Sequence, residues 1–437
     1  MTDLDFARSQ MALSLAFHIV FATAGIGMPV LMAISEGLHL RTKRPVYLDL
    51  TRRWAKGTAI LFAVGAVSGT VLSFELGLLW PTFMAHAGPI IGMPFSLEGF
   101  AFFTEAIFLG IFLYGWNRIP PLAHWLAGVM VAVSGILSGI FVVTANAWMN
   151  APTGFTFQNG RFTDIDPIAA MLNPAALHQT LHMTLAALAA TGFAVAGVHA
   201  FFLLRNRRSE FHRAAFLIGA VLGCATIPLQ ILSGDLAARR VAKLQPLKLA
   251  AMEAHYHTRT RAPFVIGGIP NSDTQTTRFG LEVPGALSLL VGHSLDTEVP
   301  GLDRAPRDQW PNVKLVHWSF DVMIACGLAM LALAAWLGIA AWRRRGLPDS
   351  PALLRAFVWA TPLGFIAIEA GWMVTELGRQ PWIVYGFMRT RDAVTNLPHL
   401  GVPFAVIAAV YLLLSVVVVM LMKRQFMETA PEKKADS

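Results

Sequence analysis

Nine stretches of unbroken apolar character, near residues 10 to 35, 57 to 80, 94 to 116, 125 to 149, 180 to 204, 214 to 233, 316 to 342, 356 to 375 and 400 to 422, constrain this chain more than any other feature. Each meets the requirement of about 20 residues for a helix that crosses a bilayer, where backbone amides must find their partners inside the segment. With 55% hydrophobic and only 14% charged residues, the fold class expected is all-α: an integral membrane protein of nine transmembrane helices. The first stretch is too long for a signal-peptide core and has no basic run before it, so it reads as a retained helix.

Nine crossings place the two ends on opposite sides, and the Lys and Arg distribution orients them. The connections after stretches one, three, five and seven, with the tail, carry 19 of these residues, Arg343, Arg344 and Arg345 among them, against five at the N-terminus and in the short opposite loops. The N-terminus is therefore expected outside and the C-terminus inside. The net charge of +8 is largely this asymmetry and does not imply nucleic acid. The chain reads as one membrane domain over 1–437. Helices one to six fill 1–233, an external loop 234–315, helices seven to nine 316–422, and a cytoplasmic tail 423–437. A loop that long is more often functional than idle. Cys224 and Cys326 fall inside apolar stretches and suggest neither a disulfide framework nor a metal motif. No internal repeat or low-complexity tract is evident.

Polar residues inside the stretches carry the functional signal, because charge at bilayer depth is costly and usually serves an ion path, a cofactor or a substrate. In "SLEGFAFFTEAIFLG", Glu98 and Glu105 stand seven apart, two turns and roughly 10 Å along one helix face. Counted from the outer ends of their stretches, His18 lies two turns deep, Glu98 one turn, His182 near the start, Met323 two turns and Glu369 two turns. Five potential ligands on five helices thus share the outer half of the membrane. His178 and His182 are spaced to clasp a metal, although a lone intramembrane His is often a helix-to-helix hydrogen-bond partner and a lone Met is usually packing. The glycines of "TAGIGMP" and "LSGIF" read as close-packing positions. A His with a Met suits a low-spin heme that passes electrons; a His or carboxylate with an open side suits a heme that handles oxygen. Two other readings stay open on the residues alone. One is a di-heme cytochrome that never meets oxygen, for which Glu98 and Glu369 have no use. The other is a heme-free proton-coupled transporter, which more often shows repeats and broken helices.

The segments "MALSLAFHIVF", "SLEGFAFFTEAIFLG", "TANAWMNAPTGF", "NPAALHQTLH", "KLAAMEA", "DVMIACG" and "EAGWMVTELGRQPW" resemble, in order from residue 6 to about 422, subunit I of the cytochrome bd-type quinol oxidases. The resemblance implies that His182 and Met323 are the axial pair of a low-spin heme b. It implies that His18, Glu98 and Glu369 are ligands of a high-spin heme b and a heme d, with heme b replacing d in some relatives. Glu105 would carry protons to the oxygen site, with the polar positions Ser138 and Asn146 close to it. Lys248 and Glu253 would bind and deprotonate quinol, a positioned carboxylate being a reasonable general base. Arg379 has the bidentate geometry to hold a heme propionate, with Trp382 beside it at the interface.

The family also implies a quinol:oxygen oxidoreductase in the bacterial cytoplasmic membrane. It would oxidise quinol outside and reduce O2 to water with cytoplasmic protons, separating charge without a pump. Its partners would be a second large subunit, subunit II, with small single-helix subunits, quinol, O2 and membrane lipid. The sequence departs from the better-known members in three places. Its loop is short, like that of the cyanide-insensitive branch; Asp321 replaces a basic residue; Phe365 replaces a Trp.

Overall fold

A computed structural model describes residues 2–344 and 350–427. Arg345 and the tail beyond residue 427 lie outside the described residues. Nine helical spans among the described residues are long and apolar enough to cross a membrane. They are formed by α1 (Asp3–Thr42), α2 (Pro45–Leu79), α3 (Pro81–Tyr114), α4 (Pro121–Asn150), then, after the five-residue α5 (Pro167–Met171), α6 (Ala176–Arg205) and α7 (Glu210–Leu244). Beyond the short α8 (Pro246–Met252) and α9 (Ala286–Gly292) come α10 (Val313–Arg344), the eighth span in two pieces, α11 (Pro351–Ala360) and α12 (Leu363–Leu377), and finally α13 (Gly401–Met427).

Proline sets many of the helix starts. Pro45, Pro81, Pro121 and Pro351 occupy the first helical turn, where a missing N–H costs nothing and the fixed φ already fits. Thr2 and Asp5 cap α1 reciprocally, the Thr2 N–H donating to Asp5 Oδ2 at 2.9 Å and the Asp5 N–H to Thr2 Oγ1 at 3.3 Å. The helices overrun the apolar stretches. Helix α3 begins at Pro81 rather than near residue 94, so Glu98 sits midway along it and not one turn from its end. Helix α7 continues to Leu244, past the expected start of the external loop at 234. The eighth span is interrupted at Thr361 and Pro362, a break the sequence reading did not foresee; Pro362 has no N–H to give the helix.

The helices pack as two groups of four spans. One is α1 to α4; the other joins α6, α7, α10 and the α11–α12 span, while α13 lies outside against α1 and α2. The connections hold four two-stranded antiparallel ribbons. These are β1 (Thr156–Gln158) with β2 (Arg161–Thr163), β3 (Phe264–Ile266) with β6 (Leu281–Val283), β4 (Ile269–Asn271) with β5 (Thr276–Arg278) nested between them, and β7 (Trp382–Val384) with β8 (Met388–Arg389). With α8 and α9, the β3–β6 and β4–β5 ribbons fold the long loop over one end of the bundle around Leu249, Leu287, Val299 and Val316.

Glycines fix the closest crossings. A Cβ on Gly27 of α1 would meet Thr191 at 2.2 Å, and one on Gly139 would meet Ile26 at 2.9 Å, so both expected packing motifs do pack closely.

Candidate heme and quinol site

His18 and His182 are held in the same way. The Ser68 hydroxyl of α2 donates to the Val64 carbonyl at 2.9 Å, which leaves its oxygen to accept from His18 Nδ1, also at 2.9 Å. On α7 the Ser233 hydroxyl donates to the Gln230 carbonyl at 2.8 Å and accepts from His182 Nδ1 at 2.9 Å. In each case Nδ1 carries the hydrogen, and Nε2 presents the lone pair that an iron needs. A glycine follows each serine and makes room for the ring: Cβ atoms on Gly69 and Gly234 would stand 3.1 and 3.5 Å from the imidazole Cε1. The sequence shows no repeat, yet a His on one helix and a Ser-Gly on the next occur twice, about fifty residues apart each time. Gln230 Nε2 lies 3.0 Å from His182 Nε2, so the amide must yield to any ligand of that nitrogen.

The other ligand candidates are isolated. Glu369 Oε1 is buried with no hydrogen-bond partner, and the Met323 sulfur would be 2.9 Å from a Cβ on Gly371, two residues along α12 from Glu369. Among the described residues no three His, Cys, Asp or Glu side chains converge as a bare-ion site. Single axial ligands on separate helices suit porphyrin-type iron, which brings its own equatorial nitrogens. His178 is buried and its Nδ1 lacks a partner.

Glu98 and Glu105 line the α3/α4 seam. Ser138 donates to Glu98 Oε1 at 3.2 Å, and Glu105 rests on Gly135, where a Cβ would stand 3.2 Å from Oε1. Ser138 thus serves Glu98. Asn146, expected near Glu105, is instead two turns further along α4 and belongs to a different network.

That network runs between helix ends at the end of the bundle that carries the long loop. Lys248 Nζ donates to Asn150 Oδ1 at 2.6 Å, Asn150 Nδ2 to Asn146 Oδ1 at 3.1 Å, Asn146 Nδ2 to Glu376, and Arg379 closes the chain on the other Glu376 oxygen. Arg379 is buried, and its Nε and Nη1 hydrogens find no acceptor. A buried guanidinium with donors still unmatched fits a carboxylate such as a heme propionate. Trp382 is half-buried on β7, with its ring 5.4 Å from the Arg389 guanidinium.

Glu253 is 0% exposed, and both its carboxyl oxygens lack hydrogen-bond partners. Burial, reinforced by the Asp321 charge, holds its carboxyl well above the usual range. Burial first, and then the Arg379 charge, lowers the Lys248 amine to about 7. Asp321, one of the departures, is matched by His317. That ring lies 2.7 Å from the Met252 carbonyl and 2.9 Å from the Gly267 carbonyl, contacts satisfied together only when both nitrogens carry hydrogen, and Asp321 stands 3.3 Å from it.

The sequence reading passed over Gln230, Ser68, Ser233, Asn150 and Glu376. It also passed over Glu75, 3% exposed and bonded by Gln10 at 2.9 Å, although a carboxylate inside an apolar stretch was signal enough.

Comparison with known proteins gives one consistent family. A family model described as cytochrome bd terminal oxidase subunit I matches residues 6–430. A putative cytochrome bd menaquinol oxidase subunit I of Bacillus subtilis (strain 168) is 36% identical, over 96% of this chain and 95% of that protein. The cytochrome bd-II ubiquinol oxidase subunit 1 of Escherichia coli (strain K12) is 30% identical, over 96% of each. The structure of bd oxidase from Geobacillus thermodenitrificans matches with a TM-score of 0.92 at 36% identity, covering 98% of this chain and 99% of that one. A family model over residues 6–430 and a solved relative that matches 98% of the chain leave one assignment: the chain belongs to the cytochrome bd terminal oxidase subunit I family, the quinol:oxygen oxidoreductases.

Proposed function

We propose that the chain oxidises quinol at the long loop on the outer face of the bacterial cytoplasmic membrane and supports reduction of O2 to water with protons drawn from the cytoplasm. Charge is then separated across the membrane without a pump. The observation that carries this reading is the hydrogen-bonded chain from Lys248 through Asn150, Asn146 and Glu376 to Arg379, which joins the buried Lys248 amine to a buried guanidinium with two free donors.

His182 and Met323 would hold a low-spin heme b, and His18, Glu98 and Glu369 a high-spin heme b and a heme d, or heme b in its place. When bound, these groups supply the electron transfer and the oxygen chemistry. The protein's own part is protonic and positional. Glu253, without partners of its own, accepts a proton from the quinol hydroxyl as general base while Lys248 holds the oxygen. Glu105, against Gly135, carries protons along the α3/α4 seam to Glu98. Arg379 fixes a propionate, and Ser68 and Ser233 hold the two imidazoles in the ligating tautomer. The partners are subunit II, small single-helix subunits, quinol, O2 and lipid.

The test is a reduced-minus-oxidised spectrum of the purified complex with heme extraction. Two b hemes and one chlorin are expected, and His182→Ala should remove the low-spin b signal alone. An unchanged heme complement in His182→Ala would sink the ligand assignment; a colourless native protein would sink the reading as a whole.

A further inference from the structure

Glu36 on α1 and His124 on α4 form a buried pair that the proposed chemistry does not use. His124 Nδ1 lies 2.7 Å from Glu36 Oε1, and Nε2 lies 2.9 Å from the Phe112 carbonyl of α3; each of the two residues is 3% exposed. A carbonyl oxygen only accepts, so Nε2 carries a hydrogen. The other contact then needs one more proton, either on the ring facing a carboxylate or on a carboxylic acid facing a neutral ring. The pair therefore shares one mobile proton. Glu36 Oε2 is buried with no hydrogen-bond partner, and it is the open position where a proton can arrive or leave.

The pair stands between a cavity and Glu105. On one side the Trp116 ring packs 4.0 Å from the His124 ring. Trp116 also lines a cavity of about 440 Å³ with Asp49, Arg52, Lys56 and Gln425, at the arginine-rich end of the bundle. On the other side runs the α3/α4 seam, where Phe112 faces Gly128 and Glu105 faces Gly135. From Phe112 to Glu105 is two turns of α3, about 10 Å. On that face α4 presents Gly128 and Ala132, with the Phe112 ring packed directly over Gly128, so a water path along the seam requires that ring to swing aside.

We propose that Glu36 and His124 are the cytoplasmic relay that feeds protons to Glu105, with Trp116 as the partition between cavity and pair. The inference rests on the reading of Glu105 as the proton carrier. A proton from cavity water binds Glu36 Oε2, and the shared proton moves fully onto His124, whose ring takes the positive charge. Release of a proton from the same carboxyl toward Glu105 returns the pair to its starting charge. A purely structural pin is not needed at this crossing, because Trp125 Nε1 already ties α4 to the Ala33 carbonyl at 2.9 Å.

The experiment uses the heme-loaded oxidase complex, fully reduced and mixed with oxygen, with proton uptake followed by a pH-indicator dye. Glu36→Gln is close to isosteric. It should slow uptake about tenfold or more, leave the heme spectrum and oxygen binding unchanged, and be largely rescued by Glu36→Asp. Uptake at the native rate in Glu36→Gln would overturn the relay. Glu105→Gln, measured in parallel, separates the two readings. Slowing by Glu105→Gln alone overturns the relay only, whereas native rates in both variants overturn the Glu105 reading and the relay with it. If Glu36→Gln does not assemble, His124→Gly with added imidazole replaces it. Restored uptake supports the relay, and an assembled enzyme that imidazole does not rescue overturns it.

Discussion

Lys248 and Glu253 are pushed in opposite directions by the same burial. Loss of water penalises whichever form is charged, so the amine is lowered to about 7 and the carboxyl is raised. A quinol oxygen that gives up its proton becomes negative, and an ammonium beside it is worth more than a neutral amine. Below about pH 7 Lys248 is that ammonium, and above it the charge is lost. The kcat/KM for quinol should therefore fall as pH rises through about 7. Lys248→Arg, which keeps its charge at any working pH, should lack that fall even if its overall rate is lower. Initial rates against quinol concentration from about pH 6 to 9 decide it, and an identical break in both proteins would remove Lys248 from the step.

Helices α6 and α7 meet backbone to backbone. A Cβ on Gly192 would stand 2.4 Å from the Gly223 nitrogen, where nothing flexible can move aside. Gly192→Val should force the pair apart at a cost of about 1–3 kcal/mol or more, read as lost assembly or a lower melting temperature in detergent. Gly110→Ala, with no atom within 4 Å of the added carbon, should be silent. The same contrast shows how far sequence reaches. The nine spans were legible because a bilayer demands length and apolarity, and hydropathy reports both. The ends were less so: "PTFMAHAGPIIGMPF" carries His86 and three prolines, yet it is the first half of α3. The candidate ligands stood out because His18, His182 and Glu369 are out of place in lipid. The polar network beside the long loop was not legible, since Asn146 finds Glu376 across 230 residues and only the fold brings them together.

For the whole molecule, orientation decides the direction of every proposed proton movement. The proposed orientation, drawn from the Lys and Arg count of 19 against five, would put the C-terminal end of α13 and the cavity beside Trp116 in the cytoplasm, and the long loop with Lys248 and Glu253 outside. With that orientation protons are released from quinol on one side and consumed from the other, so a membrane potential follows from position alone. A C-terminal fluorescent-protein fusion should be bright, and a C-terminal alkaline phosphatase fusion inactive. In vesicles that present the arginine-rich end inward, quinol oxidation should make the interior alkaline. An active C-terminal phosphatase would reverse the argument. It would put the quinol loop in the cytoplasm and make Glu36 and His124 face the outside, where a relay toward Glu105 would dissipate the gradient instead of building it.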